Sequence, residues 1–154
     1  MIRRPGSVSA SRRRRTGSVV VEFALGAGVL LAAFAGVFQF GYAFLQYGKL
    51  QSAVAQGARL AAIIPYDSPT VTPSPAYRDA VRNMVRYGSP VAGASPLADL
   101  AAENIALTVT FTRGVPASVT VAVTGYAFDA VFGTITLEGK PRVTYLYQGV
   151  WAPI

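Results

Sequence analysis

Residues 23–45 form a run that carries no charge and a single amide, Gln39. At about 1.5 Å per residue, a helix of that length reaches roughly 34 Å, enough to cross a hydrocarbon core about 30 Å thick. The full length of 154 residues then leaves room for one small soluble domain beside this segment and no more. Glu22 stands at the head of the run, five residues after Gly17, and Arg12, Arg13, Arg14 and Arg15 come just before that glycine.

The formal net charge of +7 is concentrated in one place. Six of the fourteen basic residues (Arg3, Arg4 and the four arginines at 12–15) precede Gly17, and all seven acids follow it. The excess is therefore a tail and not a patch on a domain, which argues against a nucleic-acid partner. Arginines beside an apolar segment tend to stay in the cytoplasm, so the spacing predicts an N-terminus inside and a C-terminal domain outside. Residues 1–17 read as a basic leader in which Pro5, Gly6 and the serines discourage regular structure. Arg12–Arg15 followed by Thr16 and Gly17 also allow a twin-arginine export signal, although the apolar residues that usually follow the arginines are lacking.

Within the apolar run, Gly28, Ala32 and Gly36 are spaced four apart, which places them on one helix face where a neighbouring helix can come close. Gly and Ala are also simply frequent in membrane helices. Past Leu45 the pattern becomes amphipathic without a break: Leu50, Val54, Gly57 and Ala61 form a stripe, while Lys49, Gln51, Gln56 and Arg59 lie elsewhere on the circumference. One helix over 18–64 is thus predicted, with a membrane-spanning part at 23–45 and an amphipathic part ended by Pro65.

Residues 65–154 read as a separate α+β domain. A Pro- and Ser-rich connection, 65–76, leads to a second helix with Ser74 as N-cap, Pro75 at its first position and Gly88 past its end. Tyr77, Val81, Met84 and Val85 make its apolar face; Arg78, Arg82 and Arg86 make the opposite one, expected in solvent or against an acidic partner. Residues 88–98 form a loop, with one helical turn possible within 97–103. From Ile105 the period becomes two. Ile105, Leu107, Val109 and Phe111 and then Val119, Val121 and Val123 alternate with small or polar residues, predicting a hairpin that turns over residues 113–117. A turn-rich stretch at 126–133, a short strand at 134–137, a turn at Gly139 and Pro141 and a last strand at 142–147 would complete an antiparallel sheet of three or four strands. The apolar face of that sheet has an evident partner in the amphipathic half of the first helix.

The residues Gly17-Ser18-Val19-Val20-Val21-Glu22-Phe23, with Phe40-Gly41-Tyr42, Leu50-Gln51-Ser52-Ala53 and Gly57-Ala58-Arg59, resemble the TadE-like pseudopilins of the tight-adherence pilus system. The resemblance covers about residues 12–62 and is architectural beyond them. It implies a pilin-like fold, a prepilin peptidase that cuts between Gly17 and Ser18, and a minor pilin or pseudopilin used to assemble pili for surface attachment. By the same resemblance the partners are membrane lipid, the peptidase, other pilin subunits and an inner-membrane assembly platform. Such a cut would expose the α-amine of Ser18, largely protonated near neutral pH with a usual pKa of about 8. Glu22, one helical turn along, carries the opposite sign and can offset that charge in its own or a neighbouring subunit. Alone, it could equally sit at headgroup level, favoured by the helix N-terminus.

Two other functions compete. A signal-anchored extracytoplasmic binding domain would leave Glu22 incidental. An exported soluble protein would be cut after Ala33-Phe34-Ala35, a pattern with small residues that suits signal peptidase, although the apolar run continues past it. The absence of His and Cys excludes the usual triads, thiolate nucleophiles and disulfides. The acids Asp67, Asp79, Asp99, Glu103, Asp129 and Glu138 are scattered singly, and there is no Gly-rich phosphate loop. No enzyme activity, cofactor, metal or small-molecule substrate is therefore expected. Tyr145, Tyr147 and Trp151 could form a contact surface or, more simply, strand core and a docked tail.

Overall fold

A computed structural model describes residues 12–130 and 133–153. Their elements are α1 (Arg12–Ile63), α2 (Pro75–Tyr87), β1 (Ile105–Thr112), β2 (Val115–Ala130) and β3 (Gly133–Leu146), with 3-10 turns at Leu97–Asp99 and Ala102–Asn104. By contacts the chain divides into two units, residues 1–41 and 42–154. The first eleven residues of the expected leader lie outside the described residues. Its last ones are helical, because α1 begins at Arg12, upstream of Gly17.

α1 runs for 52 residues without a proline and ends two residues before Pro65. α2 has the ends its sequence predicts. The Ser74 hydroxyl accepts the Tyr77 N–H at 3.1 Å, Pro75 opens the helix, and Gly88 closes it at φ 68° with its N–H on the Met84 carbonyl at 2.9 Å.

The sheet has three antiparallel strands in the order β1-β2-β3, and with the long helix it makes an α+β, pilin-like fold. Its first turn is shorter than 113–117: Arg113 and Gly114, at φ 55° and 81°, suffice, and β2 starts at Val115. The stretch at 126–133 is not a turn. β2 continues through Tyr126 to Ala130 and pairs with β3 as far as Ala130↔Gly133. Nor do Gly139 and Pro141 divide β3; they fall within it, at the shift of register between the Ala122↔Arg142 and Thr124↔Glu138 pairs. Long-range pairing absorbs these local turn signals as bulges inside two long strands.

The core of the second unit joins all these elements. Leu50, Val54, Ala58 and Ala61 of α1, Val81 and Val85 of α2, and Ile105, Val119, Val121 and Val123 of the sheet are buried in one cluster. The expected α1 stripe is therefore the buried face, and Lys49, Gln51, Gln56 and Arg59 are exposed. Each valine buried here contributes roughly 1.5–3 kcal/mol relative to an exposed one. Gly57 lets the two helices approach: a Cβ at this position would collide with the Val85 side chain.

Candidate functional site

Gly17, Ser18, Glu22 and Phe23 all lie on α1, and all are exposed. Ser18 and Glu22 are four apart and so share a face, about 6 Å apart along the axis. The Gly17–Ser18 bond is inside the helix and not in a loop. Glycine costs a helix interior roughly 1 kcal/mol relative to alanine, so the helix is intrinsically weaker at this point than an alanine would make it. A Cβ at Gly17 would meet no atom within 4 Å. The backbones of Arg12, Arg13, Arg14 and Arg15 form the first turn of the same helix.

From Phe23 to Leu45 the helix presents apolar side chains all round. Phe23, Val29, Phe34, Phe38 and Phe40 are each more than 60 % exposed. A surface this apolar on every side suits lipid. Gly17–Ile63 is long and apolar enough to cross a membrane, which makes it a single candidate span among the described residues. Gly28, Ala32 and Gly36 share one stripe, and a Cβ at either glycine meets nothing within 4 Å, so that side of the helix is open.

The second unit holds two features that the sequence did not reveal. The first is Tyr66, fully buried although it sits in the Pro- and Ser-rich connection. Its ring meets Tyr77, Phe111 and Tyr147 edge-on at centroid distances of 5.1, 5.8 and 6.3 Å. The tail fastens around it. The Tyr66 N–H donates to Val150 O and Tyr147 Oη at 2.9 and 2.8 Å, Ala152 N–H donates to Tyr66 O, and Trp151 Nε1 donates to Ser68 O. Tyr147 and Trp151 are thus parts of a docked tail and not a free surface, while Tyr145 lies on β3 beside the core. Burial raises the pKa of the Tyr66, Tyr77, Tyr126 and Tyr147 phenols, that of Tyr77 the most. The one local signal for Tyr66 was a large aromatic in an otherwise polar connection.

The second is the arginine face of α2, which is not a solvated one. Arg78, Arg82 and Arg86 are all half-buried. Arg86 Nε donates to the Leu100 carbonyl at 2.8 Å and its guanidinium lies 4.9 Å from the centre of the Tyr87 ring. Arg78 and Arg82 line a groove beside β1.

Among the described residues no three Asp or Glu side chains come together as a metal site. No curated protein and no solved structure matches the chain. Residues 17–59, which hold the glycine, the glutamate and the apolar helix, match the model of a family described as TadE-like protein, and the chain is consistent with a TadE-like protein.

Proposed function

We propose that this chain is a minor pilin or pseudopilin of a tight-adherence pilus, with a structural and not a catalytic role. The TadE-like match suggests a protein associated with that pilus. In this reading a prepilin peptidase removes residues 1–17, the helix at 23–45 holds the protein in the cytoplasmic membrane, and the domain at 65–154 faces outward. The basic leader keeps the N-terminus in the cytoplasm. Other pilin subunits and the inner-membrane assembly platform are the partners.

One observation carries the reading: Glu22 sits one helical turn after Ser18 at the head of a helix that exposes apolar side chains on every face. A carboxylate in that place costs several kcal/mol in lipid unless it has a partner of opposite sign. The new α-amine of Ser18 supplies one, on the same chain or on a neighbour.

The test is the mature N-terminus. Protein purified from its native membrane should begin at Ser18 and have the mass of 137 residues, the 154 of the full sequence without the 17 of the leader. Gly17→Leu should leave a full-length band. A mass matching residues 18–154 in that variant, or a native N-terminus at Gly36 or Met1, would overturn the processing step.

A further inference from the structure

α2 carries three arginines four positions apart, and only Arg86 is committed to the fold, through Leu100 and Tyr87. The Nε atoms of Arg78 and Arg82 are shielded from solvent and have no hydrogen-bond partner among the described residues. Buried polar groups are nearly always paired, so two unpaired donors one turn apart mark a place where something else belongs. The two guanidiniums also repel each other, and a shared counter-charge would relieve that.

Both arginines line a groove of about 420 Å³, within the size range of ligand sites. Glu103 lines it too, and so do five consecutive residues of β1, 105–109. β1 is an outer strand, paired with β2 alone among the described strands. Val71, Thr72 and Pro73 form the rest of its lining, and the groove therefore offers two things together: a row of strand backbone with no second strand paired to it among the described strands, and two cations beside it. Against Glu103, the two arginines leave one positive charge.

We propose that this groove takes an extended acidic segment of another protein chain, which adds to β1 as a fourth strand and sets one carboxylate against Arg78 and Arg82. An added strand satisfies backbone groups along 105–109, and its alternate side chains point to one side, where the arginines lie. A carboxylate forms charge-assisted hydrogen bonds with guanidinium donors and cancels the residual charge. An inorganic anion would answer the arginines but leave the strand edge unpaired, which is why a peptide is favoured. The proposal uses no residue of α1 and stands apart from processing at Gly17.

The test uses the full chain, isotope-labelled, in detergent micelles, with two capped seven-residue peptides. Both alternate valine and threonine; one has a central glutamate and the other a glutamine. The glutamate peptide should shift the amide resonances of residues 105–109 and bind at least tenfold more tightly than its glutamine counterpart. In the double variant Arg78→Gln, Arg82→Gln the two peptides should bind alike, with the amide-exchange protection of α2 confirming that the helix is still folded. Equal affinity of the two peptides for the unmodified chain would overturn the proposal, as would the absence of shifts at 105–109. So would inorganic phosphate alone reproducing the full set of peptide shifts, which would make the groove a small-anion site.

Discussion

Gly57 on α1 meets the side chain of Val85 on α2 with no space between them for a methyl group. Both residues are buried, and Val85 is β-branched, so it has few rotamers into which to retreat. Gly57→Ala would gain up to about 1 kcal/mol of helix propensity. Overpacking at such a contact costs about 1–3 kcal/mol. The expected net effect is a loss of about 1 kcal/mol in the stability of the second unit, read from chemical denaturation. Adding Val85→Ala removes the collision, so the double variant should be more stable than the two single losses predict. Simple additivity would show that the helices can move apart freely at this point.

The four tyrosines with raised pKa values set an alkaline limit. In the unfolded chain a phenol ionises near 10; in the folded protein burial holds Tyr66, Tyr77, Tyr126 and Tyr147 above that, and Tyr77 is further raised by its neighbours Tyr147, Tyr66 and Asp67. Below pH 10 both states keep the proton, so these groups add no pH dependence there. Above it the unfolded state releases protons that the folded state retains, and stability falls as pH rises. Phenolate absorbance and far-UV circular dichroism should therefore change together above pH 10 for these residues. Full ionisation of all the tyrosines near pH 10, with the dichroism unchanged, would contradict the burial.

If the proposed role holds, Glu22→Ala should separate membrane insertion from assembly. Removing a carboxylate from the head of an apolar helix makes insertion easier. The peptidase is expected to read the glycine and the leader, so Ser18 should still become the N-terminus. Under the proposed processing the new ammonium would lose its partner: two opposite charges brought to about 4 Å would attract by about 4 kcal/mol at an effective dielectric near 20. The variant should accumulate as cleaved, membrane-bound protein that fails to support pili, scored by immunoblot and electron microscopy. Wild-type piliation with normal levels of the cleaved form would leave Glu22 as an interfacial charge.

The parts of this fold that were legible in the sequence are those decided within a few residues. Ser74, Pro75 and Gly88 mark the ends of α2 because caps act over one turn, and Leu50, Val54 and Ala61 mark the buried side of α1 because helical spacing fixes a face. The long strands were not legible. Gly125, Gly139 and Pro141 carry local turn chemistry, yet Tyr126↔Leu137 and Val121↔Val143 pair across them, a choice made by residues far apart in sequence. The burial of Tyr66 and the partial burial of the α2 arginines were not legible for the same reason. Their surroundings are Tyr147 and Trp151 in one case and β1 in the other, and no local pattern announces either neighbour. For the candidate span, the composition of 23–45 was enough to predict a helix long and apolar enough to cross a membrane, since that property is the sum of a run and not of any pairing.

The latch between the tail and Tyr66 has a consequence in time. Tyr147 Oη bonds Ile64 O at 2.9 Å and Trp151 Nε1 bonds Ser68 O at 3.1 Å, each across 83 positions, and Gln148 N–H reaches Ala62 O. The stripe at 50–61 is made early in synthesis, while the strands that cover it and the tail that closes over its end come last. Contacts this distant along the chain are slow to form, and apolar surface left waiting for them is prone to aggregate. The bonds that fasten the tail over the end of α1 can form only once residues 147–152 have been made, so until then that end stands without this part of its cover.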